Sequence, residues 1–220
     1  MKQCKQKGFT LVEIAIVLVI VGLLLAAVLK GQEMITQGKI KGVINDFNGV
    51  LTAYNGYQDR YKAIPGDDSG AVARWSSMGL ATSVANGNGV VEGAYTDTSS
   101  SAPTTTTTET ALFWADLRAA GFYTGTAFGA GSIAAPINSV GGVMGVQSSV
   151  LGLNGFAICS SAVPYKIALA ADTQLDDGSA KTGTVRGYAY TSTTLPALTS
   201  AVPTTDYTDG SSYVLCRSAT

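Results

Sequence analysis

The chain of 220 residues carries fourteen basic and fifteen acidic residues, a net charge of −1, and no histidine. Without imidazole it lacks the commonest general base, proton shuttle and metal ligand, which excludes Ser-His-Asp, Cys-His and histidine–zinc chemistry. Its cations are scattered rather than clustered, so no nucleic-acid surface is drawn, and the length accommodates one membrane segment plus one domain of ordinary size.

Three lysines, Lys2, Lys5 and Lys7, precede Gly8-Phe9-Thr10-Leu11-Val12-Glu13, and the sixteen residues from Ile14 to Leu29 hold no charge. This run dominates the positive mean hydropathy of +0.23. As a helix, the stretch from Phe9 to Leu29 is about 31 Å long, close to the hydrocarbon thickness of a bilayer. The leading lysines keep the N-terminus cytoplasmic by the positive-inside rule. Glu13 lies inside this run, and a carboxylate in lipid costs a few kcal/mol unless it has a partner. A secretory signal peptide, with Leu25-Ala26-Ala27 as its cleavage site, also fits the pattern but accounts for neither Gly8-Phe9 nor Glu13.

Lys7-Gly8-Phe9-Thr10-Leu11-Val12-Glu13, with its basic leader and apolar sequel, resembles the class III leader of type IV pilins and type II secretion pseudopilins. The resemblance implies cleavage between Gly8 and Phe9 by a membrane-embedded prepilin peptidase, followed by N-methylation of Phe9. It also implies an assembly role in which Glu13 of one subunit neutralises the new Phe9 amine of its neighbour. Both charges then leave lipid together, which offsets the penalty each carries alone. Relatives commonly have a proline where Lys30 stands here, leaving Gly22 and Gly31 as the weak points of the span.

Beyond the span, Ile40, Val43, Ile44, Phe47, Val50, Leu51, Tyr54 and Tyr61 recur at spacings of three and four, so one apolar helical face continues to about Ala63. Lys39, Lys41, Asn45, Asp46, Asn48 and Asn55 occupy the polar face. Glycines at 31, 38, 42, 49 and 56 fall near one stripe, and three readings stay open: close helix approach in a filament, flexibility, or ordinary tolerance. Ile64-Pro65-Gly66-Asp67-Asp68 ends the helix as a turn cluster and resembles the same point in a large set of pilin-like proteins.

Asn86-Gly87-Asn88-Gly89 reads as a turn entering a short strand at Val90-Val91-Glu92. Thr96 to Thr110, with its run of threonines, is a surface loop by composition and an acceptor for O-linked sugars if modified. Glu109 to Gly121 predicts a short helix with Leu112, Phe113, Leu117 and Ala120 on one face. Strands are expected at Gly155–Cys159, Val185–Tyr190 and Tyr213–Cys216, with a helix from Tyr165 to Leu175 between the first two.

In an oxidising compartment, Cys159 and Cys216 can close a disulfide loop worth on the order of 4 kcal/mol in the chain-entropy model; the other reading is two buried thiols. Cys4 lies in the leader. Asp172, Asp176 and Asp177 are weak calcium candidates, because type II secretion major pseudopilins hold that ion in this region. Three aspartates fall short of the six to eight oxygens calcium takes, so a turn capped by Asp side chains is the simpler reading, and no cofactor is expected.

The expected architecture is α+β, the pilin ladle: a long N-terminal helix packed on an antiparallel sheet head with a C-terminal disulfide loop. Its parts are a leader (1–8), a transmembrane or filament-core helix (9–29), an amphipathic continuation (30–63) and a head (64–220). The expected function is a structural type IV pilus subunit, not an enzyme. Its partners are copies of itself, the prepilin peptidase, an inner-membrane assembly platform, and the membrane before assembly. A type II secretion pseudopilin or minor pilin is the alternative within the family, and a membrane-anchored periplasmic binding domain the alternative outside it. The location follows as inner membrane, then a surface pilus or a periplasmic pseudopilus.

Overall fold

The computed structural model describes residues 8, 10–76, 84–97, 108–126, 129 and 132–219. Cys4, Phe9 and most of the threonine loop (98–107) lie outside the described residues. The chain divides into two units, one ending at Gly38 and the other beginning at Lys39.

One helix, α1 (Leu11–Tyr61), contributes to both units. In the first unit, every large apolar side chain from Leu11 to Leu29 is exposed, by 45 to 86 %. In the second, Ile40, Val43, Phe47, Val50 and Tyr54 are buried as the 3.6-residue spacing predicts, Ala53 and Tyr57 join them, and Ile44, Leu51 and Tyr61 flank that face half-buried. The helix stops at Lys62, which adopts the left-handed conformation (φ 55°) and donates its N–H to the Gln58 carbonyl.

Two of the striped glycines have a reason within the chain. A Cβ on Gly42 would lie 2.6 Å from the Ser139 Cβ, and one on Gly56 would lie 2.9 Å from the Phe122 ring. Gly31, Gly38 and Gly49 face open space.

After a one-turn helix α2 (Ala71–Trp75) comes α3 (Glu109–Ala119). Glu109 to Arg118 are all buried, so α3 runs through the core instead of lying on the head with one apolar face, as the sequence predicts. Its polar members are partnered: Arg118 donates to the carbonyls of Thr124, Ser132 and Ala134, clasping the loop that follows.

The sheet has four antiparallel strands, β1 (Met144–Ser148), β2 (Phe156–Pro164), β3 (Val185–Tyr190) and β4 (Ser212–Ser218), in the order β1-β2-β4-β3. Helix α4 (Tyr165–Leu175) follows β2 directly. Strand alternation divides the core in two. Phe156, Ile158, Tyr213 and Leu215 join α1 and α3, with the Tyr54 ring stacked on Phe156 at 4.7 Å. Ala157, Cys159, Val214 and Cys216 join Tyr95, Val150, Leu151, Leu153 and Leu198 in a second cluster. Cys159 faces Cys216 in the β2–β4 register, and the two form a buried disulfide. A long N-terminal apolar helix, an antiparallel sheet and this disulfide together make an α+β pilin fold.

Val90-Val91-Glu92 forms no strand. Its N–H groups are taken by side chains: Val90 donates to the Asn88 Oδ1, Val91 to the Ser148 Oγ and Glu92 to the Glu109 Oε2. The segment thus lies beside β1 without forming a backbone ladder.

Candidate functional site

The N-terminal site is built from few residues. Gly8 is exposed, and a Cβ placed on it would meet nothing within 4 Å. Thr10 precedes the first turn of α1, and its Oγ1 accepts the Glu13 N–H at 3.3 Å. In return the Glu13 Oε2 accepts from the Thr10 N–H and the Thr10 Oγ1–H, both at 2.8 Å. This is a reciprocal capping box, in which the carboxylate satisfies a backbone donor that helix geometry leaves without a partner. The carboxylate also sits at the positive end of the helix dipole. Glu13 is therefore partnered within its own chain. Its Oε1 accepts no hydrogen bond among the described residues.

The sequence signal for this arrangement is Thr-x-x-Glu before an apolar run, which gives Glu13 a partner in its own chain besides the one expected from another subunit. Thr10 is a functional residue that the leader resemblance does not single out.

Asp172, Asp176 and Asp177 do come together, with one oxygen of each within 4.8 Å of the others. Each is engaged by the protein. Asp172 accepts from the Tyr207 hydroxyl at 2.6 Å and from the Gly178 N–H. Asp176 accepts from the N–H groups of Thr184 and Val185, and Asp177 from the Thr182 hydroxyl and the Ser179 N–H. A Cβ on Gly183 would lie 1.8 Å from the Asp176 Oδ2, so the loop closes tightly on that carboxylate. Burial, with the neighbouring Asp177 and Asp176 charges, pushes the Asp172 carboxyl up to about 6, against the Tyr207 and Gly178 donors that lower it. The three carboxylates supply three of the six to eight oxygens that calcium takes, and each also serves as a hydrogen-bond acceptor within its own loop. They cap the turn after α4.

Asp67 and Asp68 exceed the simple turn read from sequence: they are only 3 % and 4 % exposed. Asp67 accepts the N–H groups of Gly87 and Gly89 at 2.6 and 2.7 Å. Asp68 accepts from the Tyr57 hydroxyl at 2.7 Å and pairs with Arg74. Gly66 (φ 86°) donates its N–H to the buried Asp116 at 2.7 Å, and a Cβ there would lie 2.4 Å from the Glu109 carbonyl oxygen. The Pro-Gly-Asp-Asp cluster thus ties the end of α1 to α2, α3 and the 86–89 turn.

Residues 3–29 match the family model described as the prokaryotic N-terminal methylation motif. The N-terminus is the class III prepilin leader of type IV pilins and pseudopilins. The motif supports the pilin or pseudopilin class, implies a structural subunit and processing by a prepilin peptidase, and with the apolar helix suits membrane insertion. No curated protein and no solved structure matches the chain.

Proposed function

We propose that the chain is a structural subunit of a type IV pilus, cleaved between Gly8 and Phe9, methylated on Phe9, and polymerised through its N-terminal helix. The observation that carries this reading is the wholly exposed apolar surface from Leu11 to Leu29 directly behind the methylation motif. Such a surface requires lipid or other copies of itself to cover it.

Glu13 fits both settings. In the membrane, its Oε2 is held by Thr10, which reduces the cost of its burial. The Oε1 remains for the Phe9 amine of a neighbour, so entry into the filament adds a partner without breaking the capping box. Lys30 pairs with Glu33 at 2.7 Å, which presents two further charges as a neutral pair along the same helix.

A secretion pseudopilus subunit or minor pilin uses the same leader. The test is electron microscopy of sheared surface filaments with mass spectrometry of their main protein. This chain, starting at methylated Phe9, is the expected main component. Its absence from surface fibres in cells that process it would overturn the reading. Glu13→Ala is expected to abolish filaments while the protein stays in the membrane fraction; unchanged filaments would remove Glu13 from the assembly mechanism.

A further inference from the structure

Five of the seven asparagines in the chain are followed by glycine: Asn48, Asn55, Asn86, Asn88 and Asn154. Glycine has no Cβ to hinder its own backbone nitrogen, so the Gly nitrogen of an Asn-Gly pair can attack the preceding side-chain amide. The structure places the five pairs in three different states.

Asn48-Gly49 and Asn55-Gly56 lie inside α1, where each N–H points to the carbonyl four residues back and away from the adjacent side chain. The other three pairs are exposed, and their glycines share one conformation: φ is 74° at Gly87, 86° at Gly89 and 74° at Gly155. They differ in what holds the nucleophile. The Gly87 and Gly89 N–H groups donate to the two oxygens of the buried Asp67 at 2.6 and 2.7 Å. Both asparagine side chains there are also held, Asn86 Oδ1 by the Asn88 N–H and Asn88 Oδ1 by the Val90 N–H. Gly155, at the end of the β1–β2 turn, accepts from the Ser149 N–H through its carbonyl, but among the described residues its own N–H donates no hydrogen bond.

We propose that Asn154 is a site of spontaneous deamidation in the folded protein, and that Asp67 shields Asn86 and Asn88 from the same reaction by holding the Gly87 and Gly89 N–H groups. In this step the Gly155 nitrogen gives its proton to hydroxide and bonds to the Asn154 side-chain amide carbon. The carbon–nitrogen bond of that amide breaks, ammonia leaves, and a five-membered imide remains. Water then opens the imide at either carbonyl, giving aspartate or isoaspartate at 154. The net change is one water consumed and one ammonia released. Each conversion adds one negative charge to the β1–β2 turn, and the isoaspartate form also adds a methylene to the backbone beside the Ser148–Phe156 pair. At Asn86 and Asn88 the carboxylate opposes proton loss twice: it holds each N–H, and its charge disfavours an amide anion beside it. This inference is independent of the filament reading.

The test ages the full chain in detergent micelles in mildly alkaline buffer and quantifies deamidation at each asparagine by peptide mass spectrometry. A parallel sample is held in guanidinium chloride. In the folded protein Asn154 is expected to convert about tenfold faster than Asn86 or Asn88, the order of factor set by breaking a charge-assisted hydrogen bond. In denaturant the three rates are expected to converge. Equal rates in the folded protein, or the same ranking in denaturant, would overturn the proposal. Asp67→Asn, checked for folding by near-ultraviolet circular dichroism, is expected to raise conversion at Asn86 and Asn88 relative to Asn154. Slower conversion there would show that Asp67 acts as a base rather than a shield. Should that variant not fold, the folded-to-denatured comparison of the unmodified chain decides the matter alone.

Discussion

Asp116 shows what a single buried carboxyl does to this protein. It is fully enclosed in α3, and burial raises it to about 7, against the lowering effects of the Gly66 N–H and the Arg74 charge. The groups facing it are Gly66 from the turn, Arg74 from α2 and Tyr57 from α1. The unfolded chain holds this proton only below about 3.8, whereas the folded chain holds it to about 7. Folding therefore binds a proton between these limits, and the Asp116 contribution to stability is full below about pH 4 and lost as pH rises towards 7. Asp172, raised to about 6 chiefly by burial, works in the same direction. Asp116→Asn keeps an oxygen for the Gly66 N–H and has nothing to ionise. The variant is expected to gain stability over the parent as pH rises from 4 to 7, by an order of a few kcal/mol at most. Urea denaturation across that range checks it, and parallel curves would remove Asp116 from the pH response. Nothing local in Ala-Asp-Leu-Arg announces this burial. The Asp67 and Asp68 side chains were hidden for the same reason: turn chemistry is written in neighbouring residues, whereas a long-range acceptor role is not.

Among the elements, the 3.6-residue period in α1 was readable because one face is buried and the other wet, and the same applies to α4 at Tyr165–Leu175. Strand β3 was readable at Val185–Tyr190 from its aromatic and β-branched residues. Strand β1 was not, because Met144–Ser148 contains Gly145 and Gln147. The glycine is required where the Tyr95 backbone crosses, since a Cβ would lie 1.9 Å from the Tyr95 carbonyl oxygen. The stripe in α1 separates in the same way, and two substitutions test the division. Gly49→Ala meets open space, so helix propensity is expected to stabilise the protein by up to about 1 kcal/mol. Gly42→Ala drives a methyl into Ser139, whose N–H and hydroxyl both donate to Asp46 at 2.7 Å. The 138–142 turn must then move, and overpacking of this kind costs about 1–3 kcal/mol. Thermal unfolding is expected to show a rise for the first variant and a fall for the second; a rise for both would make Gly42 merely tolerated.

At the scale of the whole molecule, two kinds of information are separate in the chain. The methylation motif and the apolar run behind it occupy about thirty contiguous residues, where cleavage-site pattern, charge and apolar length obey local rules that a sequence displays directly. The second unit, from Lys39 onward, is specified by long-range pairings, and its clearest local signal was a pair of cysteines. Cys159 and Cys216 are 57 residues apart and join β2 to β4, the two central strands, on the face of the sheet away from α1. Closing a loop of that length is worth on the order of 4 kcal/mol in the chain-entropy model. Both sulfurs are fully buried, so a thiol reagent reaches them only when the sheet opens. Dithiothreitol alone is therefore expected to leave the disulfide intact, and dithiothreitol with sub-denaturing urea to reduce it, as read by thiol labelling. The double variant Cys159→Ala, Cys216→Ala is expected to lower the urea midpoint substantially while leader cleavage and membrane insertion proceed unchanged, because the N-terminal residues that direct both lie in the other unit. Loss of leader cleavage in that variant would show that the prepilin peptidase requires a folded head, and would end the separation of the two kinds of information.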